Sequence, residues 1–233
     1  MNGTGERDMK RCDTVKALGM LLTYPSEDLV AARTDIQQVI TGEGLLSRPV
    51  LAQVGALVRA LGDTDLYDLQ ERYIQLFDRS RTLSLHLYEH VHGESRERGP
   101  AMVNLREIYR SYGFEIDSRE LPDFLPMLCE FLSQVPEATA REILGEARVV
   151  LDALCVRLEE RASPYAGVLA ALAELTGAPA DATAVAAHIK AEGEDDDAGD
   201  LDAMDRIWEE ASVAFGAGDA MAGACPLVQS PQA

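Results

Sequence analysis

Apolar residues recur along this chain at spacings of three and four, and no stretch alternates with a period of two. That pattern confines the fold to helices packed on helices. Val15, Leu18 and Leu22 open the series. Ser26, with Glu27 and Asp28 behind it, predicts an N-cap and an acidic first turn for a second helix. That helix runs to about Ile40 and stops at Gly42 and Gly44. A third follows Pro49, with Leu51, Val54, Leu57, Val58 and Leu61 on one face. Asp63 is the expected cap of a fourth, which carries Leu66, Leu69, Tyr73, Leu76 and Phe77. Residues 79–94 fit no single period.

The pattern resumes with a fifth helix from near Ser95 or Pro100, bearing Met102, Leu105, Ile108, Tyr109 and Tyr112 and ended by Gly113. A sixth is expected from Leu121–Pro122, with one row of Leu121, Leu125, Leu128, Leu132 and Val135 and a second of Phe124, Met127 and Phe131. Pro122 suits its first turn, and Pro126 would bend it. Residues 136–161 predict one long helix striped by Ile143, Ala147, Val150, Leu151, Leu154 and Leu158. Two shorter ones follow, from about Pro164 to Leu175 and from Ala182 to Lys190. The fold class is therefore all-α, a single bundle of about eight to nine helices over residues 1–191. Residues 192–202 hold seven acids and no base, which reads as a flexible acidic linker. A short helix with Trp208 and a disordered tail complete the expected 192–233 segment.

Charge narrows the function. A net charge of −19 speaks against nucleic acid and against anionic lipid, and suits a basic peptide or plain solubility. Residues 71–119 are the exception, with eight arginines matching eight acids. Cysteines at 12, 129, 155 and 225 are too scattered for a disulfide framework or a zinc knuckle, and they fit a reducing compartment. No apolar run reaches a membrane span, and residues 1–22 lack a secretory pattern. A cytoplasmic protein with no membrane insertion is expected.

Two stretches stand out. Residues 85–105, LHLYEHVHGESRERGPAMVNL, gather three of the four histidines with Glu89, Glu94, Arg96 and Arg98. Within them His86, Glu89 and His90 spell HxxEH, the inverted zinc-hydrolase motif, which sets metal-dependent hydrolysis as an alternative. Gly93 and the Gly99–Pro100 pair interrupt the helix such a motif needs. The simpler reading is a hydrogen-bonded knot of Glu89, His90, His92 and Arg96 that fixes an irregular segment. No phosphate-binding loop or nucleophile elbow occurs. The second stretch, Ser118–Glu130, carries Leu121–Pro122–Asp123 and then Leu125–Pro126. Asp123 is a candidate cap for the helix that follows.

These stretches, together with residues 201–215 around Trp208, resemble the NarJ family, nitrate reductase assembly chaperones within the TorD/DmsD group of molybdoenzyme chaperones. The likeness spans about residues 12–216. One departure is Phe124, where the family pattern usually has histidine, and it weakens any case for a bound nucleotide or pterin. The resemblance implies a helical bundle with no catalytic residues, no metal and no cofactor of its own. It implies a partner in the nitrate reductase catalytic subunit, bound through its N-terminal peptide and held for molybdenum cofactor insertion before membrane docking. A peptide helix lying in an apolar groove gives that role a physical form. Leu105, Tyr109, Tyr112, Phe124, Met127 and Phe131 are the expected lining; Glu89, His90, His92, Glu94, Arg96, Arg98 and Asp123 are the motif residues, expected in a structural role.

Overall fold

The computed structural model describes residues 12–93, 95–178 and 181–193. Eleven α-helices follow one another among these residues, with no strand. The expected Glu94 lies outside the described residues, as do Cys225, Trp208 and the rest of the acidic segment beyond 193.

The N-terminal half follows its local signals closely. Helix α1 spans Asp13–Leu21 and buries Val15, Ala17, Leu18 and Leu21. Helix α2, Glu27–Glu43, starts where Ser26 Oγ accepts from the Leu29 N–H and stops at Gly44, whose φ of 65° suits a residue without a Cβ. Helix α3, Arg48–Asp63, takes Pro49 in its first turn and buries Val54, Leu57, Val58 and Leu61. The cap of α4 (Leu66–Tyr73) is Asp65 rather than Asp63, which ends α3; Asp65 accepts from the Tyr67 N–H. A single π-helical turn, Ile74–Asp78, extends α4 and turns Phe77 inward.

Residues left unassigned by periodicity form a 3₁₀ turn, Arg81–Leu83, and a six-residue helix α5, Leu87–His92. Helix α6 is Arg98–Ser111, ended by Gly113 at φ 84°. Helix α7, Leu125–Leu132, begins four residues later than expected, because Pro126 rather than Pro122 occupies its first turn. Pro126 therefore starts the helix instead of bending it. The expected long helix divides into α8, Glu137–Glu146, and α9, Arg148–Glu160. The break at Ala147 follows Gly145, a poor helix former. It also aims Arg148 at the end of α10 (Ala166–Leu175). There the Arg148 guanidinium donates to the Ala173 carbonyl at 2.9 Å, to Thr176 Oγ1 at 3.0 Å and to the Ala178 carbonyl. These acceptors lie at a helix C-terminus, where a cation is favoured. Helix α11, Ala182–Glu192, is capped by Asp181, which accepts from the Thr183 and Ala184 N–H groups. The division at Ala147 and the extra helix α5 account for eleven helices where nine were read.

One core unites the described bundle. Helix α1 packs on α2 and α7, α10 on α3 and α9, and α11 on α9. The closest approach is at Gly19, where a Cβ would lie 2.5 Å from Cys129 Cβ. Helices α7 and α10 are apolar on nearly every side and buried accordingly. Glu192 still belongs to α11, so the helical order continues into the first residue of the expected linker.

Candidate functional site

The two distinctive sequence stretches meet. Leu125 N–H donates to the Leu85 carbonyl at 2.8 Å, and Leu87 N–H to the Asp123 carbonyl at 3.2 Å. This one antiparallel bridge pairs His86 with Phe124, whose rings lie 5.2 Å apart. Asp123 completes the junction from a fully buried position. Its Oδ2 accepts from the Tyr88 N–H at 3.0 Å, and its Oδ1 lies 3.3 Å from His86 Nδ1. Asp123 thus caps α5, across 35 residues of chain, and not the helix that follows it. The Asp123 hydrogen bond raises the His86 pKa above the ordinary imidazole value; burial opposes it, and the charges of Asp123, Glu89 and Glu120 add to it.

A cleft opens beside this junction. It has a volume of about 390 Å³ and is lined by Tyr24, Tyr73, Phe77, Leu85, His86 and Phe124, with Asp78 and Glu120 at its edge. Its floor is an aromatic cluster in which Tyr73 contacts Tyr24 at 5.6 Å and Phe77 at 4.9 Å between ring centroids. The Tyr73 hydroxyl donates to the Leu22 carbonyl at 2.9 Å, which anchors the ring. The π-helical turn supplies Phe77 and Asp78 together, one to the floor and one to the rim. Such turns frequently mark functional positions. Tyr24 stands 46% exposed at the mouth.

Placement of the six residues expected to line a groove divides them. Leu105, Tyr109 and Phe131 are interior. Tyr109 and Phe131 stack with centroids 4.1 Å apart, and the Tyr109 hydroxyl donates to the Pro122 carbonyl at 3.0 Å. Their own packing closes the groove expected between them. Tyr112 is exposed, with its hydroxyl 3.2 Å from Thr139 Oγ1, and Met127 is half-buried. Phe124 alone reaches the aromatic cleft. Tyr24 and Tyr73 were missed as site residues: nothing in their local sequence singles them out, and only the fold brings them to Phe124.

The polar knot also differs from its expected membership. Glu89 pairs with Arg98 at 2.9 Å, rather than with Arg96. Burial opposes ionisation of Glu89, but hydrogen bonds from Ser84 and Arg98 outweigh it and hold its pKa below the usual carboxylate value. Arg96 is exposed, and His92 sets its ring edge-on to Tyr88 at 5.4 Å. His90 lies between the Ser84 carbonyl, 2.8 Å from Nε2, and Glu192 Oε1, 2.6 Å from Nδ1. Sequence spacing held no hint of Glu192, which lies 102 residues away.

The HxxEH triplet does not assemble a metal centre. His86 precedes α5 as its cap residue and faces Asp123, Glu89 is held by Arg98, and His90 turns to Glu192. A helical pair of histidines with a glutamate between them requires one continuous helix, and α5 begins too late. The hydrolase alternative loses its basis.

Eleven helices among the described residues, with no strand, make this an all-α protein. The fold is shared with a putative redox enzyme maturation protein from Archaeoglobus fulgidus, at a TM-score of 0.52 and 22% identity, over 76% of this chain and 99% of that one. Residues 43–171 match the model of the nitrate reductase delta subunit family, and the chain belongs to that family. It is 40% identical over 195 residues to the nitrate reductase molybdenum cofactor assembly chaperone NarJ of Escherichia coli K12, covering 84% of this chain and 81% of that protein. The probable chaperone of the same kind from that organism, NarW, is 37% identical over 201 residues, covering 86% and 83%.

Proposed function

We propose that this protein is a cytoplasmic assembly chaperone for a molybdenum-dependent nitrate reductase. It binds the N-terminal peptide of the apo catalytic subunit, keeps that subunit open for cofactor insertion, and releases it for membrane docking. No bond-breaking step is assigned to it. Kinship with the NarJ and NarW chaperones supports the partner. The observation that carries the peptide reading is the cleft at the His86–Phe124 bridge, aromatic inside and acidic at Asp78 and Glu120. An amphipathic helix buries an apolar edge in such a cleft and sets basic side chains against the rim. Its 390 Å³ accommodates a few anchor side chains rather than a whole helix, which fits a partner that must later leave.

Of the expected groove residues, Phe124 belongs to this surface, and Tyr112 and Met127 are not part of its lining. Tyr109 and Phe131 instead stack α6 against α7, and Leu105 is buried in the core. Calorimetric titration of the full chain with a synthetic N-terminal peptide of the catalytic subunit tests the reading. One-site binding is expected, and Tyr24→Asp should weaken it by about tenfold or more, or ~1.4 kcal/mol, with circular dichroism unchanged. Absence of binding by the unaltered chain defeats the chaperone reading; equal binding by the Tyr24→Asp variant moves the peptide elsewhere.

A further inference from the structure

A second polar cluster lies where α11 meets α5, apart from the aromatic cleft. His90 Nδ1, His188 and Glu192 each offer one ligand atom, and these atoms lie within 4.8 Å of one another. His188 and Glu192 stand one turn apart on α11, so they present one face. His90 comes from α5 and its side chain is 2% exposed. We propose that His90, His188 and Glu192 form a binding site for a borderline divalent cation of the zinc type.

Four features carry this. The ligand set, two imidazoles and one carboxylate, is one that zinc takes in three-ligand sites with a fourth position open. Hard cations prefer oxygen ligands in larger number, which excludes magnesium and calcium. His90 is already oriented, because its Nε2 faces the Ser84 carbonyl at 2.8 Å and Nδ1 points at the cluster. Imidazole ligands are ordinarily held by such a hydrogen bond from the far nitrogen.

His188 Nε2 supplies an independent sign. It is buried and makes no hydrogen bond among the described residues, although Glu192 Oε1 stands 3.5 Å away. A buried ring nitrogen without a partner is costly, and a metal ion would satisfy it. Finally, a cavity of about 380 Å³ adjoins the three residues and gives an ion and its water a route in.

Arg157 lies 3.2 Å from Glu192 Oε2, which leaves Oε1 as the single oxygen turned to the cluster. Its charge opposes a second cation, so affinity falls below that of an all-protein structural zinc site. Without metal, the short 2.6 Å contact between His90 Nδ1 and Glu192 Oε1 holds the group together. Binding would part these two atoms by about 0.7 Å, to the roughly 3.3 Å spacing that tetrahedral ligands about 2.0–2.1 Å from zinc require. The effect is a staple that joins α11 to the histidine-rich segment.

Titration of the tag-free, chelator-treated full chain with zinc chloride tests the site, with cobalt chloride as an absorbing probe. One ion per chain is expected, with the visible bands of tetrahedral cobalt. Loss of an orienting group alone weakens metal affinity by about 10–100-fold, so removal of a ligand in His188→Ala should weaken it by roughly a hundredfold or more. His188→Gln, which keeps volume, should do the same, so a folding defect in one variant cannot mimic the result. His86→Ala should leave zinc binding unchanged. Zinc should raise the unfolding temperature of the unaltered chain and not that of the His188 variants. No saturable binding, binding undiminished in both His188 variants, or binding lost in His86→Ala would overturn the proposal. Peptide binding by the aromatic cleft does not depend on the outcome.

Discussion

Asp123, with no exposed surface, accepts the Tyr88 N–H at 3.0 Å and so caps a helix that begins 36 residues before it. The cap joins the two stretches most distinctive in the sequence. His86 Nδ1 lies 3.3 Å from the same carboxyl. Phe124 follows directly in the chain, so the wall of the aromatic cleft depends on a buried acid.

Replacing that acid should therefore cost stability before it alters binding. Asp123→Ala removes the cap and so leaves the part-buried Tyr88 N–H without its acceptor, a loss of about 1–3 kcal/mol. Urea unfolding should show a loss of that size, roughly 1–3 kcal/mol. Asp123→Asn keeps one acceptor oxygen and should lose less. Equal midpoints for Asp123→Ala and the unaltered chain would remove the cap from the account.

His86 gives the junction a pH dependence. Its folded pKa is raised, chiefly by the hydrogen bond to Asp123, above the ordinary value of about 6.5. A group whose pKa is higher folded than unfolded binds more protons in the native state, so stability falls as pH rises. The contribution is fully present below about pH 6.5 and disappears as pH climbs through the raised folded value. His86→Ala should be destabilised relative to the unaltered chain at pH 5.5 and nearly equal to it at pH 9 on this account. Chemical denaturation at several pH values reads the difference, and a gap that widens toward high pH would contradict the assignment.

Tyr109 separates a core role from a binding role. Tyr109→Phe keeps the ring stacked on Phe131 and removes only the hydroxyl that donates to the Pro122 carbonyl. A loss of about 1 kcal/mol is expected, with peptide affinity unchanged. Tyr109→Asp places an unpaired charge in the interior and should prevent folding at ordinary temperature. A folded Tyr109→Asp variant with weakened peptide binding would restore the groove to α6 and α7.

Legibility in the sequence followed the range of the interactions. Helices set by local signals were read closely: Ser26 caps α2, Gly44 ends it, and Gly113 ends α6. Both segments of the functional junction were also visible, because their polar and proline content is costly in ordinary helix. Long-range pairing was not visible. Nothing near Asp123 announces Tyr88 as its partner, and nothing near His90 announces Glu192. The break at Ala147 escaped for the same reason, since the stripe from Ile143 to Leu158 continues across it and Arg148 finds its acceptors on another helix. Burial was the other gap: Tyr109 and Phe131 carry the same letters whether they line a groove or fill a core, and only the stacking distance decides.

The rim of the cleft yields a kinetic prediction. Asp78 and Glu120 are exposed, so their attraction for a basic peptide acts mainly on encounter. Glu120 also stands 3.9 Å from His86 Nε2, while Asp78 stands in no ion pair among the described residues, so Asp78→Lys is the cleaner probe. The association rate of the peptide should fall by roughly tenfold in Asp78→Lys at low salt, within the range electrostatic steering supplies. Dissociation should change little, because the aromatic floor is untouched. Raising ionic strength to about 0.5 M, where screening acts within a few ångströms, should bring the variant and the unaltered chain together. Stopped-flow fluorescence with a labelled peptide measures both rates. Association that is equally fast in both proteins at low salt would show that the acidic edge near Phe77 does not meet the incoming peptide.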